Sequence, residues 1–179
     1  MIFEESVILE QLTSEKSKKL STLSQLTHIK NQKIIDKIIS LLDDDDISIR
    51  GEVFTTLFLN ENDISERLIY ALNNTSKNIR AFCTLILANR SDKKGINSII
   101  KLTNDSSSMV RSSALGALGY LRASKAGKEI HQGIFDSDVE VKKSAAHALS
   151  LINEKLSHDE KIELEKQDDP DFEKILKTL

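Results

Sequence analysis

Four histidines, one cysteine and a run of four aspartates are the side chains in this sequence with most to offer chemically. No two of His28, His131, His147 and His158 stand four residues apart, so the helical spacing that offers two imidazoles to one zinc ion is missing. His28 and His147 are expected as solvated surface residues. Cys83 has no second cysteine to pair with, and no local histidine or helix start to stabilise a thiolate. Asp43 to Asp46 invites comparison with a calcium loop, but Ser48 stands where the sharp turn requires glycine and Phe54 where a bidentate glutamate is required. A solvated turn whose last aspartate caps a helix is the simpler reading, and Asp168, Asp169 and Asp171 around Pro170 read the same way. No Gly-rich phosphate loop and no Gly-x-Ser-x-Gly elbow occurs. The expectation is no catalytic residue, no metal and no cofactor.

What does recur on a fixed step is a base. Arg50, Arg80, Arg111 and Lys142 stand 30, 31 and 31 residues apart, and the same step reaches back to Lys19 and forward to Glu173. Columns form around them. Seven residues after the anchor lie Leu26, Leu57, Leu87, Leu118 and Leu149; three after it, Thr22, Val53, Cys83, Ala114, Ala145 and Leu176. One before it lie Lys18, Ile49, Ile79, Val110, Val141 and Phe172; four before it, Glu15, Asp46, Ser76, Ser107, Asp138 and Asp169. A short polar cap followed by apolar residues at helical spacing is a helix start, here repeated on one period. Each such helix B needs a preceding helix A. The candidates are 4–12, 32–42, 65–72, 94–102, 126–134 and 158–166, separated by short polar segments. A helix pair of this size cannot cover its own apolar face, so neighbours must stack.

The run Asp136-Ser137-Asp138-Val139-Glu140-Val141-Lys142, followed by Ser144-Ala145-Ala146-His147-Ala148-Leu149, resembles the short HEAT-like repeat of phycobilin lyases, as does Ser106 to Leu121. The resemblance covers Gln32 to Ile152; it weakens where Lys18 replaces the β-branched residue and where Glu173 replaces the base. It implies an all-α, right-handed α-α superhelix, an α-solenoid of about six HEAT-like hairpins. Residues 1–179 would form a single array, with repeats near 3–30, 31–61, 62–92, 93–122, 123–153 and 154–179, the first and last acting as caps. In similar repeats the base bridges to acceptors in adjacent turns, for which Asp46, Asp105 and Asp138 are the candidates here. The His-Glu pairs of HEAT-type di-iron hydroxylases are missing. So are the Trp and the basic concave row of HEAT-like alkylpurine glycosylases. Likeness to bilin lyases covers structural positions and carries no active residue over.

Composition bounds the partners. In 179 residues with net charge −3 no overall field invites nucleic acid, and one proline with six glycines suits helices rather than sheets. The start Met1-Ile2-Phe3-Glu4-Glu5 lacks a secretory pattern, apolar runs are too short for a span, and a lone cysteine suits a reducing compartment. A cytoplasmic protein is expected. If B helices line the inner, concave face, positions two, five and nine after the anchor point away from the core. These are Glu52, Thr55 and Leu59; Phe82, Leu85 and Asn89; Ser113, Gly116 and Tyr120; Ser144, His147 and Leu151. None is Lys or Arg, which a groove tracking phosphates would need. Exposed apolar and aromatic residues among them point to a protein contact, unless tight curvature buries them between B helices. The expected function is a non-catalytic scaffold or adaptor binding another protein or peptide through Glu52, Thr55, Leu59, Phe82, Leu85, Asn89, Ser113, Tyr120, His147 and Leu151. The expectation includes no nucleic acid and no membrane. A bilin-lyase-like enzyme subunit and a HEAT-like nucleic-acid binder are the alternatives. Self-association stays open, because Leu179 falls one residue short of the next leucine column.

Overall fold

Asp46, Ser76 and Asp138 each turn a side-chain oxygen onto the backbone N–H groups that follow. Asp46 accepts from Ser48 N at 2.8 Å, Ser76 from Ile79 N at 3.4 Å, and Asp138 from Glu140 N at 2.9 Å. Each satisfies a donor that the first helical turn leaves unpaired, so a helix begins at the next residue. Asp169 does the same for Asp171 N at 2.9 Å, ahead of Pro170 at the first helical position. Ser107 and Glu15 head their helices without a side-chain bond.

The computed structural model describes residues 5–167 and 169–176; Met1 to Glu4, Asp168 and Leu179 lie outside the described residues. Among the described residues there are twelve α-helices and no strand. They run in pairs: α1 (Glu5–Gln11) with α2 (Lys16–Leu23), α3 (Gln32–Ser40) with α4 (Ile47–Phe58), and α5 (Ser65–Ala71) with α6 (Lys77–Asn89). Then come α7 (Ile96–Lys101) with α8 (Ser108–Tyr120), α9 (Gly127–Gly133) with α10 (Val139–Ile152), and α11 (His158–Glu165) with α12 (Pro170–Leu176). This is the all-α helical-hairpin repeat class that the columns predict. Among the described residues no helix is long and apolar enough to cross a membrane.

The chain divides into two compact units, Met1–Arg90 and Ser91–Leu179. In the first, α2 packs on α4, α4 on α6 and α3 on α5. Leu26, Leu57 and Leu87 are buried together with Ile49, Val53 and Cys83. Thr56 Oγ1 reaches the Leu23 carbonyl at 3.1 Å, tying α4 to α2. In the second unit α8 and α10 form the most extensive helix contact, with Leu118, Leu149, Ala114 and Ala145 between them fully buried. Burying one leucine stabilises by about 1.5–3 kcal/mol, so the column supplies much of each unit's cohesion.

Gly119 sets how near α8 and α10 approach. A Cβ at Gly119 would lie 2.6 Å from the Ala148 Cα, a backbone atom with nowhere to go, whereas one at Gly116 meets nothing within 4 Å. Both helices then end alike. Arg122 and Asn153 take left-handed φ of 51° and 61°, while Ala123 N returns to the Leu118 carbonyl and Glu154 N to the Leu149 carbonyl. This is the Schellman arrangement, made without glycine.

The two glycines of α8 give a matched test. Gly116→Ala gains helix propensity and should stabilise by about 0.5–1 kcal/mol. Gly119→Ala gains the same propensity yet should destabilise, because Ala148 must move. Leu118→Ala should cost roughly 2–5 kcal/mol and Lys125→Ala less than about 0.5 kcal/mol. Urea unfolding followed by far-UV circular dichroism reads all four.

Candidate functional site

The residues two, five and nine after each base are accessible in both units. In the first, α4 presents Thr55 and Leu59, the latter 51% exposed, with Glu52 half-buried. On α6, Phe82 and Leu85 are half-buried and Asn89 is exposed, its amide bonded to the Leu85 carbonyl at 2.8 Å. In the second unit Tyr120 is 57% exposed and Leu151 39% exposed, His147 is exposed, and Ser113, Gly116 and Ser144 are half-buried. Small residues let α8 and α10 approach closely, and the hydroxyls of Ser112 and Ser144 meet at 2.8 Å between them. Tyr120 and Leu151 occupy equivalent places at the C-terminal ends of these two helices.

The recurrent bases close turns. Arg50 Nη1 donates to the carbonyls of Asp44 and Asp45 at 2.6 and 3.0 Å, Arg80 to those of Asn74 and Thr75 at 2.9 Å each, and Arg111 to that of Asp105 at 2.9 Å. Carboxylates meet the bases at other residues than expected. Lys19 pairs with Asp44 at 2.9 Å, Arg111 forks onto both oxygens of Asp136 at 2.7 Å, and Lys142 pairs with Glu163. The expectation of Asp105 as an acceptor holds through its carbonyl, which takes Arg111; that of Asp46 and Asp138 is corrected. The carboxylates of Asp46 and Asp138 face their own helix starts, and that of Asp105 accepts Ser107 N. The missed column lies six before the base. Asp44, Asn74, Asp105 and Asp136 each take the backbone N–H two residues on, at 2.9–3.0 Å, and so shape the turn.

Cys83 is buried and Asp46 is occupied. Burial pushes the Cys83 thiol up to about 12, which removes it as a nucleophile. Asp46, of the aspartate run, is held at about 2 by Lys16 and by Ser48 N. Among the described residues no group of three or more His, Cys, Asp or Glu side chains is placed to hold a metal ion. On the A-helix side of the first unit, Arg67 bonds both oxygens of Asp36 and lies 5.6 Å from the ring of exposed Tyr70, beside a groove of about 490 Å³.

Comparison with known proteins agrees with this geometry. The family model for HEAT repeats matches residues 65–149. An engineered protein of known structure shares 17% identity over 99% of this chain and 95% of that chain, with a TM-score of 0.60. The CpcE–CpcF complex of phycocyanin lyase from Nostoc shares 18% identity over 98% of this chain and 75% of that one, TM-score 0.59. A designed armadillo repeat protein solved with the peptide (KR)4 shares 16% identity over 98% of both chains, TM-score 0.56. No curated protein matches the sequence.

One histidine stands apart from any sequence expectation. His131 on α9 is held at Nδ1 by Glu160 at 2.6 Å and at Nε2 by Glu154 at 2.7 Å. An ionised carboxylate only accepts, so holding both contacts requires the doubly protonated ring. Partial burial pulls the His131 pKa down, but its bonds to Glu160 and Glu154 outweigh that and leave it raised above 6.5. Burial pushes Glu160 up, and its bonds to Ser157 and His131 outweigh this and leave it below 4.5. The signs follow from linkage. The raised histidine stabilises fully below its unfolded pKa of 6.5 and ceases to as pH rises through the folded value. The depressed glutamate stabilises above 4.5 and ceases to as pH falls through its folded value. Melting temperature should therefore decline from about pH 6.5 upward, and His131→Gln should flatten that decline. Scanning fluorimetry across this range checks it; an unchanged alkaline limb in His131→Gln contradicts it.

Proposed function

We propose that the chain is a HEAT-like repeat protein that works as a non-catalytic scaffold, holding a peptide or protein segment against the exposed face of its B helices. The observation that carries this reading is large apolar side chains left in water on an ordered helical face: Leu59 in the first unit, Tyr120 and Leu151 in the second. Soluble surfaces seldom keep such residues together in register unless something covers them. Half-buried Phe82 and Leu85 would add anchors already partly fixed by packing, which lowers the entropy lost on binding. The peptide-bound armadillo design supports the class of ligand, since the two chains share a fold. We also take residues 1–179 as a single array, with the repeat boundaries given above.

A second reading, a bilin-lyase-like subunit, is favoured by the structural likeness to the CpcE–CpcF complex. It predicts a shift in visible absorption when the protein is mixed with a free bilin, and the scaffold reading predicts none.

Panning of the purified protein against a random peptide display library tests the scaffold directly. Selected peptides should bind, and Phe82→Ala/Leu85→Ala or Tyr120→Ala/Leu151→Ala should weaken them by about tenfold or more with helicity retained. Failure to enrich any sequence, or binding indifferent to both double variants, rules the face out.

A further inference from the structure

The second unit carries three exposed bases, Arg122, Lys125 and Lys155, along the rim formed by the turns that follow α8 and α10. Arg122 is fixed: its backbone is the left-handed residue that ends α8, and its Nη1 donates to the Leu151 carbonyl at 3.0 Å. One guanidinium nitrogen is thus spent on the C-terminal end of α10, and the rest of the fork faces solvent beside Leu151. Lys125 bonds only the Asn97 side-chain oxygen, at 2.6 Å. Among the described residues none of the three pairs with a carboxylate, whereas Arg111, Lys142 and Lys143 in the same unit all do. Nearby Glu154 is engaged by His131 and does not neutralise the cluster.

Resting on the scaffold reading above, we infer that the partner of the second unit is an acidic amphipathic segment. Its apolar side chains cover Tyr120 and Leu151, and its carboxylates meet Arg122, Lys125 and Lys155 along the rim. Charge complementarity chooses the sign of the partner, and the adjoining apolar pair chooses a polypeptide. A nucleic-acid strand would need several aromatic platforms for its bases, and this rim offers the single ring of Tyr120. A basic segment would meet three unpaired cations. In the first unit the equivalent turn after α4 carries Glu61, Asn62 and Asp63 instead.

Four labelled probes of equal length test this by fluorescence anisotropy with the full chain. One places glutamate pairs between leucine and phenylalanine at helical spacing; the second has lysine for glutamate; the third has serine for the apolar residues; the fourth is a homothymidine strand. The first should bind, more weakly as salt rises, and lose about tenfold with Lys125→Glu/Lys155→Glu and with Tyr120→Ala/Leu151→Ala. Lys101→Glu, on α7, should leave it unchanged. Arg122→Gln, which keeps a donor for the Leu151 carbonyl, should weaken binding with melting temperature maintained. Equal binding of the lysine probe, or indifference to charge reversal, overturns the acidic assignment while loss with Tyr120→Ala/Leu151→Ala keeps the scaffold reading alive. Tightest binding by homothymidine overturns the polypeptide assignment. Binding of no probe overturns the inference, and library panning then decides separately whether the scaffold reading falls with it.

Discussion

A helical hairpin has one apolar side and nothing of its own to cover it, so every hairpin here depends on the neighbour's leucine. Leu57, Leu87, Leu118 and Leu149 return to the interior side of successive B helices, Leu26 lies in the turn just after α2, and each is buried. Smaller residues four positions earlier let the backbones close in; in the second unit Gly119 against Ala148 leaves no room for one more carbon. Burial at these places fixes the rotation of each B helix about its axis. Rotation in turn decides which residues remain outside. Leu59, Tyr120 and Leu151 are exposed because the leucine two positions before each of them is not.

Electrostatics separates the two ends of each B helix. At the N-terminal end, aspartates, asparagine and serine cap helices and shape turns, and the recurrent bases fasten those turns through backbone carbonyls. Their charge is largely absorbed in structure. At the C-terminal end of the second unit, turns without glycine close by the Schellman pattern and leave Arg122 and Lys155 in solvent. Backbone atoms close the turns there, and Arg122 adds one bond from Nη1 to the Leu151 carbonyl. The terminal hairpin is held by a different mixture: Leu164, Phe172 and Ile175 are buried, and Lys142, Lys143 and His131 meet Glu163, Asp169 and Glu160.

Periodicity made the architecture legible. Six helix pairs could be placed within a residue or two because caps at Asp46, Ser76, Asp138 and Asp169 announce where a helix starts, and the leucine column says which way it faces. Helix ends were harder, since the left-handed positions carry Ser91, Arg122 and Asn153 where glycine would have been the signal. The column headed by Asp44 and Asp136 was present in the sequence but lies outside the helices, where apolar spacing gives no guide. The clamp on His131 was not legible at all, because it joins residues 23 and 29 positions away through the packing of separate helices. Phe82 and Leu85 fall between the extremes: their register placed them on the outward side, and most of their surface is nevertheless covered by packing.

Hydroxyl-radical footprinting of the free protein, read by mass spectrometry at single residues, tests most directly whether this register governs the fold. Oxidation should be heavy at Leu59, Tyr120 and Leu151 and near background at Leu57, Leu118 and Leu149. Comparable labelling of the two sets, or their inversion, would mean that the B helices are turned differently and that neither the buried column nor the outward face exists as described.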